Sequence, residues 1–282
     1  MNIFDSEERF LKYTESDTHA INRMLTNAIL DIPFLALRLG DGEAKLLAYP
    51  DYLDYDSLSK QLRIWFGDHQ LTHSDVLHMK ELLLAAISQA TILGLPGYHR
   101  CTNSKNGVLT NDAHNCQLLW QVLIDNFGLN FLKRKAICSA NVHHTIQQNK
   151  NIKKLVNKYS SLGFVYWNHE VIRDIYLFDS LTDICFIRVP SEKWSRNDKT
   201  NTHYPHAYRD VMRRIKKQNY DGFLFLVGAG LLGKIYAFEL YKNGASVLDF
   251  GAVLDGWSDS IPSQREGMVR KRDVMTLDYL FK

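Results

Sequence analysis

The block Arg38-Leu39-Gly40-Asp41-Gly42-Glu43 concentrates the residue types most able to do chemistry. Asp41 and Glu43 form a D-x-E pair that presents two hard oxygens, the donor chemistry of Mg²⁺ or Mn²⁺. Carboxylates this close repel one another unless a cation or an arginine compensates. Arg38 carries a planar guanidinium suited to a two-pronged hold on phosphate or carboxylate. Gly40 and Gly42 permit close backbone approach and positive φ. The same residues also suit a plain helix start, with Asp41 as N-cap and Glu43 in the first turn, where the helix dipole favours acids.

A second turn, Gly228-Ala229-Gly230-Leu231-Leu232-Gly233, follows the apolar run Phe223–Val227 and matches G-x-G-x-x-G. Backbone N–H groups of Gly228 and Gly230 at a helix start could hold a diphosphate. Asp249 comes at the end of the next apolar run, where a ribose-binding acid belongs. Alone, this turn describes an NAD(P)-dependent oxidoreductase, and that alternative stays open. The chain after Gly233 is too short for the successive βαβ units of a full dinucleotide fold. A phosphate-binding or close-packing turn serving a mononucleotide-type ligand is therefore the better inference.

The third segment, Leu248-Asp249-Phe250-Gly251-Ala252-Val253-Leu254-Asp255-Gly256-Trp257-Ser258-Asp259, is an acid-rich loop. General acid–base chemistry needs a carboxylate or imidazole within hydrogen-bond reach, and Asp255 is the candidate base. A solvated turn acid is the plainer alternative. Among the 11 histidines, His143 and His144 follow a strand end, as do Tyr98 and Arg100 in another loop, and an ordinary turn accounts for both groups. H-E-x-x-H, G-x-S-x-G and G-x-x-x-x-G-K-[ST] spacings are absent, which removes zinc-hydrolase, nucleophile-elbow and P-loop readings.

Positioning these turns requires strands that end where the turns begin. Short apolar runs at Phe34–Leu39, Thr91–Leu95, Ala136–Ser139, Phe164–Trp167, Ile184–Val189, Phe223–Val227 and Ser246–Phe250 read as strands. Between them, helical periodicity covers Ser74–Ala90 and roughly 112–127, 206–218 and 231–243. Such alternation predicts an α/β fold with a mostly parallel sheet flanked by helices. With no repeat or Pro/Gly-rich linker, one domain over residues 1–282 is the simpler organisation. Pro190–Pro205 is the most loop-like stretch and reads as a mobile surface connection.

The 34 Lys and Arg against 31 Asp and Glu give a net charge of +3, too balanced for a nucleic-acid-wrapping surface. Hydrophobic residues make up 45% of the chain, enough for a sizeable core. Cys101, Cys116, Cys138 and Cys185 lack metal-finger spacing and read as buried thiols in a reducing compartment. Asp5, Glu7, Glu8 and Arg9 occupy the place where a secretory leader needs apolar residues. Apolar runs also fall far short of the ~20 residues of a membrane span. A cytoplasmic protein is expected, with peripheral docking on a membrane compatible.

Taken in order, the three segments resemble the GT-D-type glycosyltransferases. Arg38-Leu39-Gly40-Asp41-Gly42-Glu43 is similar to that family's R-[FL]-G-D-G-E signature. Val227-Gly228-Ala229-Gly230 and Leu248-Asp249-Phe250-Gly251, with Asp255 and Trp257, are similar to its C-terminal block. The resemblance implies a Rossmann-like nucleotide-sugar domain with Asp41 and Glu43 as ligands of Mn²⁺ or Mg²⁺ and Arg38 beside the diphosphate. It further implies sugar transfer from a nucleotide donor, UDP being expected, to a saccharide acceptor that is free, lipid-linked or protein-linked. A non-catalytic scaffold in glycan assembly, with architectural glycine turns, is the remaining alternative.

Overall fold

The structure is a computed structural model that describes residues 3–67, 71–173, 178, 180–191 and 203–257. Its helices are α1 Glu7–Leu11, α2 Asp17–Ile29, α3 Asp41–Ala48, α4 Tyr55–Phe66, α5 His73–Gln89, α6 Tyr98–Cys101, α7 Asn111–Phe127, α8 Leu129–Leu132, α9 Val142–Gln148, α10 Asn151–Val156, α11 Tyr208–Ile215, α12 Gly230–Lys242 and α13 Val253–Trp257. The strands are β1 Leu35–Arg38, β2 Ile92–Leu95, β3 Ser104–Lys105, β4 Val108–Leu109, β5 Ala136–Ser139, β6 Ser161–Tyr166, β7 Asp183–Arg188, β8 Phe223–Val227 and β9 Ser246–Asp249. Seven strands form one sheet in the order β5-β2-β1-β9-β8-β6-β7. The pairings β1–β2, β2–β5, β6–β7, β6–β8 and β8–β9 are all parallel, as expected of a fold that alternates strands and helices.

Contacts divide the chain into two compact units, one of Met1–Ala20, Ala36–Leu62 and Gln70–Val142, the other of Ile21–Leu35, Arg63–His69 and His143–Lys282. In the first unit, β2 lies between β1 and β5, and all four of its residues are buried. A continuous apolar run is what a strand covered on both faces needs. Helix α3 packs on α5 and α7, and buried Trp120 of α7 donates its indole N–H to the Pro96 carbonyl at 3.0 Å. Thr72 and Asp75 cap α5 reciprocally, while the Thr110 hydroxyl accepts from the Ala113 N–H to open α7.

In the second unit, β6 lies between β7 and β8, with β9 on the far side of β8. Helix α12 covers β8 and β9, and α11 packs on α12. The Phe34 carbonyl accepts from the Val247 N–H at 2.8 Å.

All seven expected strands are present; the largest difference is β6, which starts at Ser161 rather than Phe164. A small antiparallel hairpin, β3–β4, was not expected. Its turn is Asn106-Gly107, both at positive φ, the signal of a tight two-residue hairpin. Of the predicted surface loop Pro190–Pro205, residues 192–202 lie outside the described residues. Its end is packed rather than surface-exposed: the backbone is extended at Tyr204, with φ of −122° and ψ of 138°, His203 and Tyr204 are buried, and the His203 ring nitrogen sits 3.1 Å from the Tyr236 hydroxyl. No described helix is long and apolar enough to cross a membrane.

Candidate functional site

Strand β1 delivers Arg38 to its carboxyl end, and α3 begins three residues later at Asp41. The helix starts earlier than its apolar pattern suggests, with Gly40 rather than Asp41 as N-cap. Glu43 reaches back so that its Oε2 accepts from the Gly40 N–H at 2.9 Å, which satisfies one of the donors a helix start leaves open. Glu43 is nearly buried, whereas the Asp41 side chain is 51% exposed. Arg38 lies across β2, where a Cβ on Gly94 would stand 3.1 Å from the Arg38 Cγ and 3.0 Å from the Ser139 carbonyl oxygen. Gly94 thus opens the path along which Arg38 Nη1 donates to the Ala140 carbonyl at 3.2 Å.

Asp41 accepts from Arg100 Nη2 at 3.3 Å. Arg100, on the short helix α6, is held by both oxygens of Asp112, at 2.8 Å through Nε and 2.6 Å through Nη2. Those hydrogen bonds hold the guanidinium firmly protonated against the opposing effect of partial burial. Arg100 therefore contacts a motif residue instead of standing in an ordinary turn. In the sequence, Thr110-Asn111-Asp112 before an amphipathic run marks a capped helix start and nothing ties Asp112 to the Arg38–Glu43 block. Tyr98, in the same loop, packs its ring 5.8 Å from that of Phe10.

The carboxylates at this strand end fit a divalent cation. Asp41 already attracts a positive group, the Arg100 guanidinium, and both acids offer hard oxygens. Among the described residues no three His, Cys, Asp or Glu side chains group as a metal cage. Two carboxylates suffice for Mg²⁺ or Mn²⁺ when phosphate oxygens and water complete the coordination. Gly42 lies within the first turn of α3.

In the second unit, β8 runs into Gly228, with Ala229 capping α12. The Gly228 N–H is committed to the Val165 carbonyl at 2.9 Å. A Cβ on Gly228 would stand 2.9 Å from Leu254 Cδ1 and 3.0 Å from both the Gly251 carbonyl oxygen and Tyr166 Cδ2. Close packing therefore favours glycine here, because a methyl group would need these neighbours to shift. Gly230 has φ of 58°, and its carbonyl accepts from Lys234 Nζ at 3.2 Å. Lys234 also pairs with Asp249 at 3.2 Å, the two side chains only 7% and 6% exposed. A ribose-binding role for Asp249 would have to share it with this buried ammonium. In the sequence the one signal for Lys234 is its place directly after the third glycine of the turn.

Asp255 is not a solvated turn acid. It lies on α13, is 4% exposed, and accepts a hydrogen bond from the Tyr166 hydroxyl at the carboxyl end of β6. Trp257, on the same helix, donates its indole N–H to Gln147 Oε1 at 2.9 Å. His143 and His144 of α9 are both buried, with ring centroids 3.8 Å apart. Asp259 lies outside the described residues. The second unit thus brings together Gly228, Gly230, Asp249 and Asp255, and adds Lys234 and Tyr166. The first brings together Arg38, Gly40, Asp41, Gly42 and Glu43, and adds Arg100 and Asp112.

No curated protein matches this sequence. Among solved structures, the chain is similar to the domain of unknown function 1792, described as having a distinct glycosyltransferase fold, with a TM-score of 0.52 at 16% identity over 87% of this chain and 82% of that one. It is also similar to a selenomethionine-substituted structure of that domain, with a TM-score of 0.50 at 15% identity over 88% and 82% of the two chains. Likeness at these identities shows a shared fold. The family model of the GT-D fold-like domain matches residues 16–167, more than half of the sequence and the whole of the Arg38–Glu43 block. With its parallel sheet and a glycosyltransferase-type fold, the chain belongs to the GT-D-like family.

Proposed function

We propose that this protein is a metal-dependent glycosyltransferase that moves a sugar from a nucleotide diphosphate donor, UDP being the expected nucleotide, to a saccharide acceptor borne by a glycan, a lipid or a protein. The observation that carries this is the Arg38–Glu43 block, with two acids and an arginine gathered at the carboxyl end of β1. Ligands of open parallel sheets bind at such strand ends. When bound, a divalent cation supplies Lewis-acid neutralisation of the diphosphate leaving group.

The chain's own residues do the rest. Asp41 and Glu43 would hold the cation, and Glu43 keeps its place through the Gly40 N–H. Arg38, braced on the Ala140 carbonyl, directs its guanidinium charge to the diphosphate. Asp255 accepts the proton of the acceptor hydroxyl, and the Tyr166 hydroxyl orients its carboxylate. Lys234 and Asp249 lock α12 to β9 beneath the glycine turn, which presents Gly230 to the nucleotide.

Thermal-shift titration of UDP and UDP-sugars with and without Mn²⁺ tests the assignment, since a ligand that favours the native state raises Tm. Asp41→Ala and Glu43→Ala should each abolish the metal-dependent shift and turnover; retention of both by both variants would sink it. A response to NAD(P)H with none to UDP plus Mn²⁺ would instead assign the second glycine turn to a dinucleotide. Absence of any nucleotide response would leave a scaffold.

A further inference from the structure

Arg100 ties the motif aspartate to a carboxylate outside the motif. Its guanidinium meets Asp112 through two short bonds, 2.8 and 2.6 Å, and Asp41 through one long bond of 3.3 Å. A fork-on-fork pair is the stronger of the two, so Asp112 has the greater hold on the shared charge. Asp112 itself is set in the first turn of α7, where the helix dipole favours an anion. All three side chains are 41–51% exposed and can rearrange.

A divalent cation arriving at Asp41 meets this guanidinium as a like charge and as a competitor for the same oxygen. We propose that Arg100 is the resident counter-cation of Asp41, and that Asp112 draws it aside and so sets the affinity of the D-x-E turn for divalent metal. Arg100 and Asp112 are positioning residues here, because neither needs to touch metal or donor. This rests on the assignment of Asp41 and Glu43 as the metal site.

The arrangement predicts effects of opposite sign from two neighbouring substitutions. Arg100→Met removes the competing charge, so Mn²⁺ binds more tightly. Asp112→Asn leaves the guanidinium to Asp41 alone, so Mn²⁺ binds more weakly. Exposed ion pairs are worth up to about 1 kcal/mol, which converts to shifts of up to about fivefold in each direction. Arg100→Lys keeps the charge and should not reproduce the tightening.

The test is calorimetric titration of Mn²⁺ alone into the full chain without nucleotide, with Tm recorded to establish that each variant is folded. The double variant Arg100→Met/Asp112→Asn should bind like Arg100→Met, because Asp112 acts through Arg100. Shifts in the same direction, no shift in either variant, or a double variant weaker than Arg100→Met would each overturn the proposal; the last would make Asp112 a direct ligand. The underlying metal site has its own control. If the wild-type chain binds no Mn²⁺, or Asp41→Asn leaves binding intact, the D-x-E assignment falls and takes this proposal with it.

Discussion

Glu43 holds two roles that substitution can separate. Its carboxylate accepts from the Gly40 N–H and caps α3, and the same group is a proposed metal ligand. Glu43→Gln keeps an oxygen for the N–H but loses the charge, so stability should stay within about 0.5 kcal/mol while Mn²⁺ binding drops. Glu43→Ala loses the cap as well, at about 1 kcal/mol. Chemical denaturation and metal titration read the two effects separately, and wild-type Mn²⁺ affinity in Glu43→Gln would reduce Glu43 to a cap. Asp255 invites a kinetic experiment. Its carboxylate is 4% exposed and accepts from the Tyr166 hydroxyl. Tyr166→Phe removes the donor that orients this carboxylate, so steady-state kinetics should show a lowered kcat at an unchanged KM. An unchanged kcat would assign the base elsewhere.

At the scale of elements, glycines decide how closely strands and turns approach. Gly228 ends β8 against Tyr166 of β6 and the Gly251–Leu254 stretch that leads into α13. Leu254 can turn aside from a new methyl group, but the Gly251 carbonyl is backbone and cannot. Gly228→Ala should therefore cost about 1–3 kcal/mol, as overpacking does. It should also lower turnover by shifting the helix that carries Asp255. Urea denaturation beside steady-state kinetics checks both; a variant of unchanged stability would show slack around this turn. A glycine-turn motif in sequence thus says that something comes close, without saying whether it is a phosphate or a neighbouring strand.

For the molecule as a whole, buried phenols couple stability to pH. Burial pushes the pKa values of Tyr159 and Tyr220 up from 10.0 to about 12, and raises that of Tyr236 well above its ordinary value. A phenol with a raised folded-state pKa contributes stability that is complete below the unfolded value of 10.0 and is lost as pH climbs through the folded value, about 12 for Tyr159 and Tyr220. All three residues belong to the second unit. The denaturation midpoint should fall between those two pH values as phenolate absorbance rises, and Tyr159→Phe should make the fall shallower. An identical slope in that variant would remove Tyr159 from the account.

Local pattern determined much of this protein. Continuous apolar runs bounded by turns marked the seven strands of the large sheet, because buried parallel strands need apolar side chains on both faces. The Arg38–Glu43 block was equally legible, since a strand end, two glycines and two acids are contiguous in the chain. Only tertiary structure brought Arg100 and Asp112 to Asp41, Lys234 to Asp249 and Tyr166 to Asp255. Asp255 looks solvated in sequence because it stands in an acid-rich run, and it is buried because β6 supplies a phenol donor from 89 positions away. Spacing along one chain records periodicity and capping, but the pairing of distant charges depends on which strand ends become neighbours, and strand order sets that.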